Sequence, residues 1–323
     1  EPIQETKSSV RIFTFKDLPA LEPIPYALDT ARDVPFALFY YQPERFFAYA
    51  KLGPEPYWKN AVDTYYKSYL DEDVKKGKAF AALHGELSEG LPADPVAKAF
   101  QLALKLDARI RNTGQPTFEE LSQRGKNPKK IEAQDLEGAV KQGEANSEGM
   151  GLLFLHLLKA QGIPAKVALV ADRDIRLFSF NQLNAFQFTH QIYGVDEPGK
   201  GTAWFDPALR FATPGLIHPD FQGTFALQID TKDWSVAAVT LPAQPATGNV
   251  TKLDYALDLQ EEEDVFKLRE SFTGVADLIQ RQTYLALEPK EQNRLLKEAM
   301  ERRLKGAVFT RTEVLNANTP KDN

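Results

Sequence analysis

The hydrophobic pattern of the chain begins with the period of a β-strand. VRIFTF at residues 10–15 alternates apolar and polar side chains, and the apolar FALFYY follows at residues 36–41. Prolines 19, 23, 25 and 35 lie between or beside these segments. Because proline cannot donate a hydrogen bond to a neighbouring strand, they suit edge strands and extended connections. Residues 1–45 are therefore predicted to be the end of an N-terminal β-rich region.

The pattern then changes to helical spacing. Aromatic residues recur at this spacing in PYWKNAVDTYYKSYL, and a second helix is predicted in ADPVAKAFQLALKLDARI, with Asp94 as its N-cap and Pro95 at its first position. The segment RNTGQPTFEELSQRGKNPKK is rich in loop-forming residues. A short helix follows in QDLEGAVKQG and is predicted to end at Gly143.

The most apolar helix is predicted in EANSEGMGLLFLHLLKAQGIPA, at residues 144–165. Its first turns contain Gly149 and Gly151, although glycine costs about 0.5–1 kcal/mol relative to alanine inside a helix. We expect these glycines to permit close approach of a sheet to the helix. His156, further along, is expected at the surface or facing a partner.

Strand patterns return after this helix. KVALVAD, FQFTHQIYGV and TAWFDPA are predicted strands, and the turn sequence DEPGKG joins the last two as a hairpin. SVAAVTL, KLDYALDL and VFKLRESF are further strand candidates, with the acidic run QEEEDV as a connecting turn, and one helix is predicted in EPKEQNRLLKEAMERRLKG. The predicted fold class is α+β, with a central domain at residues 46–235 and a C-terminal β-rich region with one terminal helix at residues 236–323.

Composition narrows the possible functions. The 323 residues are 43% hydrophobic and 26% charged, with a formal net charge of −6 and no long basic stripe, so nucleic acid and anionic membranes are not expected partners. We find no apolar run of membrane-spanning length and no signal-peptide core in the sequence. Cysteine is absent, which excludes disulfides and thiolate chemistry, and the four histidines show no metal-ligand spacing. No cofactor is expected, and the sequence does not indicate an oligomeric state.

Three polar residues are the candidates for chemistry. Ser147 opens the apolar helix, where free backbone N–H groups favour developing negative charge. His190 lies in a predicted strand, and Asp206 follows the hairpin partner of that strand, so the carboxylate can orient the imidazole. Each has an ordinary alternative: Asn146 or Ser147 as a helix cap, His190 as a half-buried strand residue, and Asp206 as a turn opener before proline.

Residues 145–207 resemble the core of the bacterial transglutaminase-like superfamily. The resemblance rests on ANSEGMGLLFLHLLKAQGIPA, FTHQI and WFDP in that order, with 43 residues from Ser147 to His190 and 16 more to Asp206. It implies a papain-like core, a helix bundle packed on an antiparallel sheet, flanked by β-rich regions. Aligned on GIPA, Ser147 takes the position of the family's catalytic cysteine, His190 that of its histidine and Asp206 that of its aspartate. Phe188 and Trp204 would then flank the cleft, although aromatic residues on strands more often pack in the core.

The departures from the family pattern decide the expected function. A thiolate can be stored beside an imidazolium, whereas a serine hydroxyl must lose its proton during attack. Gly149 replaces the family's acidic residue and Ala145 replaces its glycine, which favours natural loss of activity over an engineered Cys→Ser change.

Three interpretations follow from this pattern. The leading one is a non-catalytic module that binds or scaffolds a protein or peptide ligand in a bacterial protein, with Ser147 left as a cap. The absence of cysteine and the β-rich flanks favour an exported or periplasmic protein. The second is a serine-dependent acyltransferase or peptidase acting on amide bonds through Ser147, His190 and Asp206. The third is that the parent protein carries cysteine at position 147 and is active.

Overall fold

A computed structural model describes residues 3–7, 10–14, 16, 44–71, 77–123, 135–258, 265–304 and 313–317. The helices are α1 Glu44–Ala50, α2 Pro54–Tyr65, α3 Lys67–Leu70, α4 Lys78–Ser88, α5 Pro95–Arg109, α6 Phe118–Gln123, α7 Leu136–Gln142, α8 Ser147–Ala160, α9 Gly274–Leu285 and α10 Pro289–Arg303. The strands are β1 Ile3–Lys7, β2 Val10–Thr14, β3 Arg111–Asn112, β4 Glu144–Ala145, β5 Lys166–Val170, β6 His190–Glu197, β7 Gly201–Phe205, β8 Phe225–Asp230, β9 Val236–Thr240, β10 Thr251–Asp258 and β11 Val265–Phe272.

A five-stranded antiparallel sheet forms the centre of the protein, with strand order β7-β6-β5-β8-β9. Its middle strand, β5, is buried on both faces, because Val167 and Leu169 belong to the main hydrophobic core while Ala168 and Val170 belong to a second cluster on the opposite face. A strand that is buried on both faces has a continuous apolar sequence, and KVALV shows this pattern. The protein is therefore α+β, as predicted.

Helix α8 packs on the first face of this sheet and is buried from Gly149 to Leu158. A helix that is apolar all round belongs in the middle of a core, and the helices α2, α4, α5 and α7 contribute buried residues to the same core. The close approach expected at the glycines occurs at Gly151, where an added Cβ would come within 2.5 Å of the Tyr193 hydroxyl on β6. His156 is 5% exposed, so the expectation that it lies at the surface was wrong.

Local signals placed several helix ends correctly. The Asp94 side chain caps α5 by accepting a hydrogen bond from the Ala97 N–H at 2.8 Å, and Pro95 begins that helix. Helix α7 ends at Gly143, which has φ of 67°, the left-handed conformation that glycine adopts without strain. These ends matter for the site, because the chain passes from Gly143 through β4 directly into α8.

Other elements differ from the sequence prediction. The histidine-bearing strand begins only at His190, and β1, β8, α1 and α4 were not anticipated. The C-terminal region has the antiparallel hairpin β10–β11 and two helices, so the single terminal helix predicted there was wrong. The central sheet continues past residue 235 into β9. FALFYY and most of QEEEDV lie outside the described residues.

Among the residues that the structure describes, no helix combines the length and the apolar character that crossing a bilayer requires.

Candidate functional site

Helix α8 begins at the first candidate residue. Asn146 is the N-cap, and its side chain accepts a hydrogen bond from the Gly149 N–H at 2.7 Å. Ser147 is the first residue of the helix proper. The cap is therefore Asn146, and the interpretation of Ser147 as a leftover cap was wrong. Its hydroxyl is free to make another contact.

The Ser147 hydroxyl donates a hydrogen bond to the side chain of Asn112, with 3.3 Å between Oγ and Oδ1. Asn112 lies on β3, which pairs in parallel with β4 just before the helix. Gly114 closes the site from the same loop, since a Cβ added there would overlap the Ser147 Oγ. The serine is thus held between the helix N-terminus and the loop that follows β3.

Asn112 is the functional candidate that sequence reasoning missed. The residue is 1% exposed. Its Nδ2 donates a hydrogen bond to the Ala208 carbonyl at 2.8 Å, and its Oδ1 also accepts one from the Gly114 N–H at 2.9 Å. Ala208 follows Asp206 by two residues, so one buried amide joins β3, the start of α8 and the segment beside the aspartate. The sequence RNTG is typical of a turn, and nothing in it predicts that the asparagine is buried.

His190 and Asp206 are brought together by the β6–β7 hairpin. His190 begins β6, Asp206 directly follows β7, and the register pairs Tyr193 with Phe205 between them. His190 Nε2 lies 3.1 Å from Asp206 Oδ1. The Asp206 side chain is 1% exposed and that of His190 is 26% exposed. The Phe221 ring stacks on the imidazole with 5.2 Å between centroids and 18° between planes, which fixes its orientation.

The electrostatic surroundings raise the pKa of His190. Burial opposes the charged imidazolium, but the charge of Asp206 and its hydrogen bond, together with the charge of Glu148, outweigh burial. Glu148 is exposed and is the second residue of α8. The charges of both carboxylates therefore favour the protonated form of the histidine.

Ser147 and His190 line one cavity of about 310 Å³. Glu148, Tyr66 and Phe188 also line it, and Tyr193 closes it from β6. Phe188 thus lies at the cleft as expected. Trp204 lies on the opposite face of the sheet and belongs to the second core cluster, which agrees with the core-packing role considered for it.

The serine and the histidine share the cavity without being paired. Among the described residues, Asn112 is the hydrogen-bond partner of the Ser147 hydroxyl, and no hydrogen bond joins Ser147 to His190. Nε2 of His190 is engaged by Asp206, so Nδ1 is the ring nitrogen left to face a ligand or a nucleophile. The site therefore contains an oriented imidazole and a hydroxyl that is bonded elsewhere.

Replacing Asp206 by asparagine is expected to lower the pKa of His190, because the variant loses the carboxylate charge that opposes burial. A raised pKa in the folded state stabilises the protein below the unfolded value of about 6.5, and this contribution disappears as the pH rises through the folded pKa. The free energy of unfolding of Asp206→Asn should therefore fall furthest below that of the native protein at acidic pH, and the difference should become smaller at higher pH. NMR titration of the His190 ring, with unfolding measured across the same pH range, tests both effects.

Glu148→Gln is the matched control for this titration. This variant removes the carboxylate whose charge raises the pKa of His190 less, and it keeps the hydrogen bond between His190 and Asp206. It should therefore lower the pKa of His190 less than Asp206→Asn does. An unchanged His190 titration in Asp206→Asn would contradict the proposed electrostatic origin.

Comparisons with known proteins give limited similarity. No protein-family model matches the chain, and no curated protein matches it significantly in sequence. A solved structure of a candidate protease from Parabacteroides distasonis is similar at a TM-score of 0.39 and 11% identity, over 76% of this chain and 41% of that one. Rad4–Rad23 bound to a 6-4 photoproduct UV lesion is similar at a TM-score of 0.32 and 13% identity, over 61% of this chain and 48% of that one. The chain thus spans less than half the length of either structure.

Proposed function

We propose that this protein is a non-catalytic transglutaminase-like module whose cleft at Ser147 and His190 binds a protein or peptide ligand. The observation that carries the proposal is the partner of the Ser147 hydroxyl, which is Asn112 rather than His190. A serine nucleophile needs a base that takes its proton during attack. Here the hydroxyl donates a hydrogen bond to an amide oxygen, which is too weak a base to remove its proton.

The surroundings of Ser147 support the same conclusion. The hydroxyl is confined by the backbone of Gly114, so its position is set by the loop after β3 as well as by α8. The family's acidic residue is also absent, because Gly149 occupies its position.

The cleft keeps groups suited to binding. His190 is oriented by Asp206 and Phe221, and its raised pKa favours the protonated form, which donates charge-assisted hydrogen bonds. Phe188 provides apolar surface beside it, and Glu148 provides a carboxylate acceptor in the lining of the same cavity. A peptide offers both carbonyl acceptors and N–H donors, which match these two polar groups.

A second candidate is a serine-dependent acyltransferase or peptidase acting on amide bonds. The observation in its favour is that Ser147 and His190 line one cavity, and that Nδ1 of the imidazole makes no hydrogen bond to any residue that the structure describes. In that mechanism Ser147 is the nucleophile, His190 the base and Asp206 the group that orients it, and backbone N–H groups at the start of α8 stabilise the oxyanion.

A fluorophosphonate probe separates the two candidates. We expect no labelling of the native protein and no turnover of glutamine-containing peptides, because the hydroxyl is not paired with a base. The same peptides should shift the His190 ring resonances without giving a product. A serine hydrolase of known activity serves as the control for the probe, and Ser147→Ala as the control for the residue.

Labelling or turnover that disappears in Ser147→Ala would establish the enzyme and refute the non-catalytic module. Ser147→Cys tests the third interpretation, in which a parent with cysteine is active. We expect its thiol to react with iodoacetamide at the rate of an ordinary thiol of similar exposure. Amide turnover by Ser147→Cys would show instead that the cleft is competent once a thiol is present.

A further inference from the structure

We propose that a second cavity, on the face of the sheet opposite α8, binds an uncharged and largely apolar small molecule that carries one O–H or N–H group. This cavity has a volume of about 660 Å³. It lies between the end of β7, the loop at residues 213–217, the segment 242–248 and the start of α9. Its volume falls within the usual range of small-molecule sites, about 300–1,000 Å³.

The chemistry of the walls determines the class of ligand. None of the described residues that line the cavity is charged, although 26% of the chain is charged. A charged ligand would lose its hydration there without gaining an ion pair, which is costly. Trp204 offers a broad aromatic surface, and Pro214, Pro242 and Pro245 add rigid apolar surface. The lining therefore selects an uncharged ligand with apolar or aromatic character.

One buried polar group at the wall specifies the hydrogen bond. The side-chain Oε1 of Gln244 is buried and has no hydrogen-bond partner among the described residues. Buried polar atoms in folded proteins are paired in the great majority of cases, because leaving one unpaired costs about 1–3 kcal/mol. Gln244 lines the cavity, but its Oε1 points away from the open space, so the side-chain amide must rotate before a ligand with an O–H or N–H group can supply the missing donor.

The walls are fixed in place by hydrogen bonds of their own. Gln222 joins two of them, since its Nε2 donates to the Ile217 carbonyl at 3.0 Å and its Oε1 accepts from the Gln244 N–H at 2.9 Å. The Thr273 hydroxyl donates to the Gly248 carbonyl at 3.1 Å, which holds the start of α9 against the segment 242–248. A cavity with such walls exists before the ligand arrives, which lowers the entropy lost on binding.

Four related probes test the site: 4-ethylphenol, ethylbenzene, 4-ethylbenzoate and 4-ethylbenzylammonium. They share size and shape and differ in charge and in the donor group. We expect saturable binding of 4-ethylphenol, with NMR cross-relaxation between the probe and the Trp204 indole. Ethylbenzene should bind about three- to tenfold more weakly, because it lacks the donor that Gln244 requires. The two charged probes should bind at least tenfold more weakly than 4-ethylphenol.

Two variants test whether the probes bind in this cavity and which side chain supplies the acceptor. Gln244→Met keeps the length of the side chain but removes the acceptor, so it should abolish the preference for 4-ethylphenol over ethylbenzene. Ala243→Trp, at an exposed rim position, should fill the cavity and reduce binding of all the probes at least tenfold. Ser147→Ala lies at the other cleft and should leave probe binding unchanged, so this proposal and the proposed function can fail separately.

Several results would overturn the proposal. These are absence of contact between 4-ethylphenol and Trp204, equal affinity for the charged probes, or an unchanged preference in Gln244→Met. If Ala243→Trp does not fold, the cross-relaxation and Gln244→Met measurements decide the question without it.

Discussion

Replacing Trp58 by alanine is expected to lower the free energy of unfolding by about 3–5 kcal/mol, the range for loss of a large buried aromatic side chain. Trp58 on α2 is 0% exposed, and its ring contacts Phe178 and Phe188 with centroid distances of 5.5 and 5.6 Å. Its indole N–H also donates to the Phe180 carbonyl at 2.7 Å. The variant therefore loses packing and leaves a backbone acceptor unpaired.

The substitution Trp58→Ala is also expected to disturb the cleft at Ser147 and His190. The segment anchored by Trp58 leads through Phe188 directly to His190, so loosening it should broaden or shift the His190 ring resonances even where the variant remains folded. Chemical denaturation gives the stability and NMR gives the local effect. Trp58→Phe keeps an aromatic ring and should cost less than the alanine variant.

Leu52→Ala is the exposed control for Trp58→Ala. Leu52 is 70% exposed, and such positions usually change stability by less than about 0.5 kcal/mol. If Trp58→Ala costs no more than this control, Trp58 does not anchor the segment that carries the site.

The fold could be predicted where local chemistry determines it. Asp94 before Pro95 fixed the start of α5, and Gly143 fixed the end of α7, because caps and left-handed glycines act within a few residues. β8 was missed although FALQID is largely apolar; its partner β5 is distant in sequence, whereas its other partner, β9, follows it directly. Helix α4 was missed because its small and polar residues weaken the helical period.

The candidate site could be predicted only in part. The hairpin that joins His190 to Asp206 is local, and its turn signal together with the alternation of the strands was sufficient to place them side by side. The partner of Ser147 is 35 residues away, on a two-residue strand in a loop-rich segment. No periodic pattern encodes such a contact, because it depends on β3 pairing with β4 in the folded protein.

The choice of serine at position 147 can be understood from these contacts. Gly151 lets β6 approach α8, which brings Tyr193 and the strand that carries His190 against the first turns of the helix. Gly114 lets the loop approach from the other side. The two glycines make a narrow site in which a small hydroxyl with one amide partner fits, and the domain boundaries around this core stay a prediction.

Replacing Asn112 by leucine is expected to cost about 2–4 kcal/mol of stability. Leucine is similar in shape, so the packing loss is small, but three groups lose their partner: the Ala208 carbonyl, the Gly114 N–H and the Ser147 hydroxyl. Ala208 is buried and its carbonyl loses a hydrogen bond that water cannot easily replace, whereas Gly114 is exposed. An unpaired buried acceptor costs about 1–3 kcal/mol, and the other two losses add less.

A double-mutant cycle with Ser147→Ala isolates the contact between the two side chains. If the hydroxyl depends on Asn112, the two substitutions should couple by about 0.5–1.5 kcal/mol, because the hydrogen bond can be lost only once. Strict additivity would mean that this bond contributes nothing. The fluorophosphonate probe tests whether this hydrogen bond matters for function. Asn112→Leu frees the Ser147 hydroxyl, and if His190 is not its base, Ser147 should still not be labelled. Labelling that appears in Asn112→Leu and disappears in the double variant would show that Asn112 restrains a competent nucleophile, and the non-catalytic proposal would be wrong.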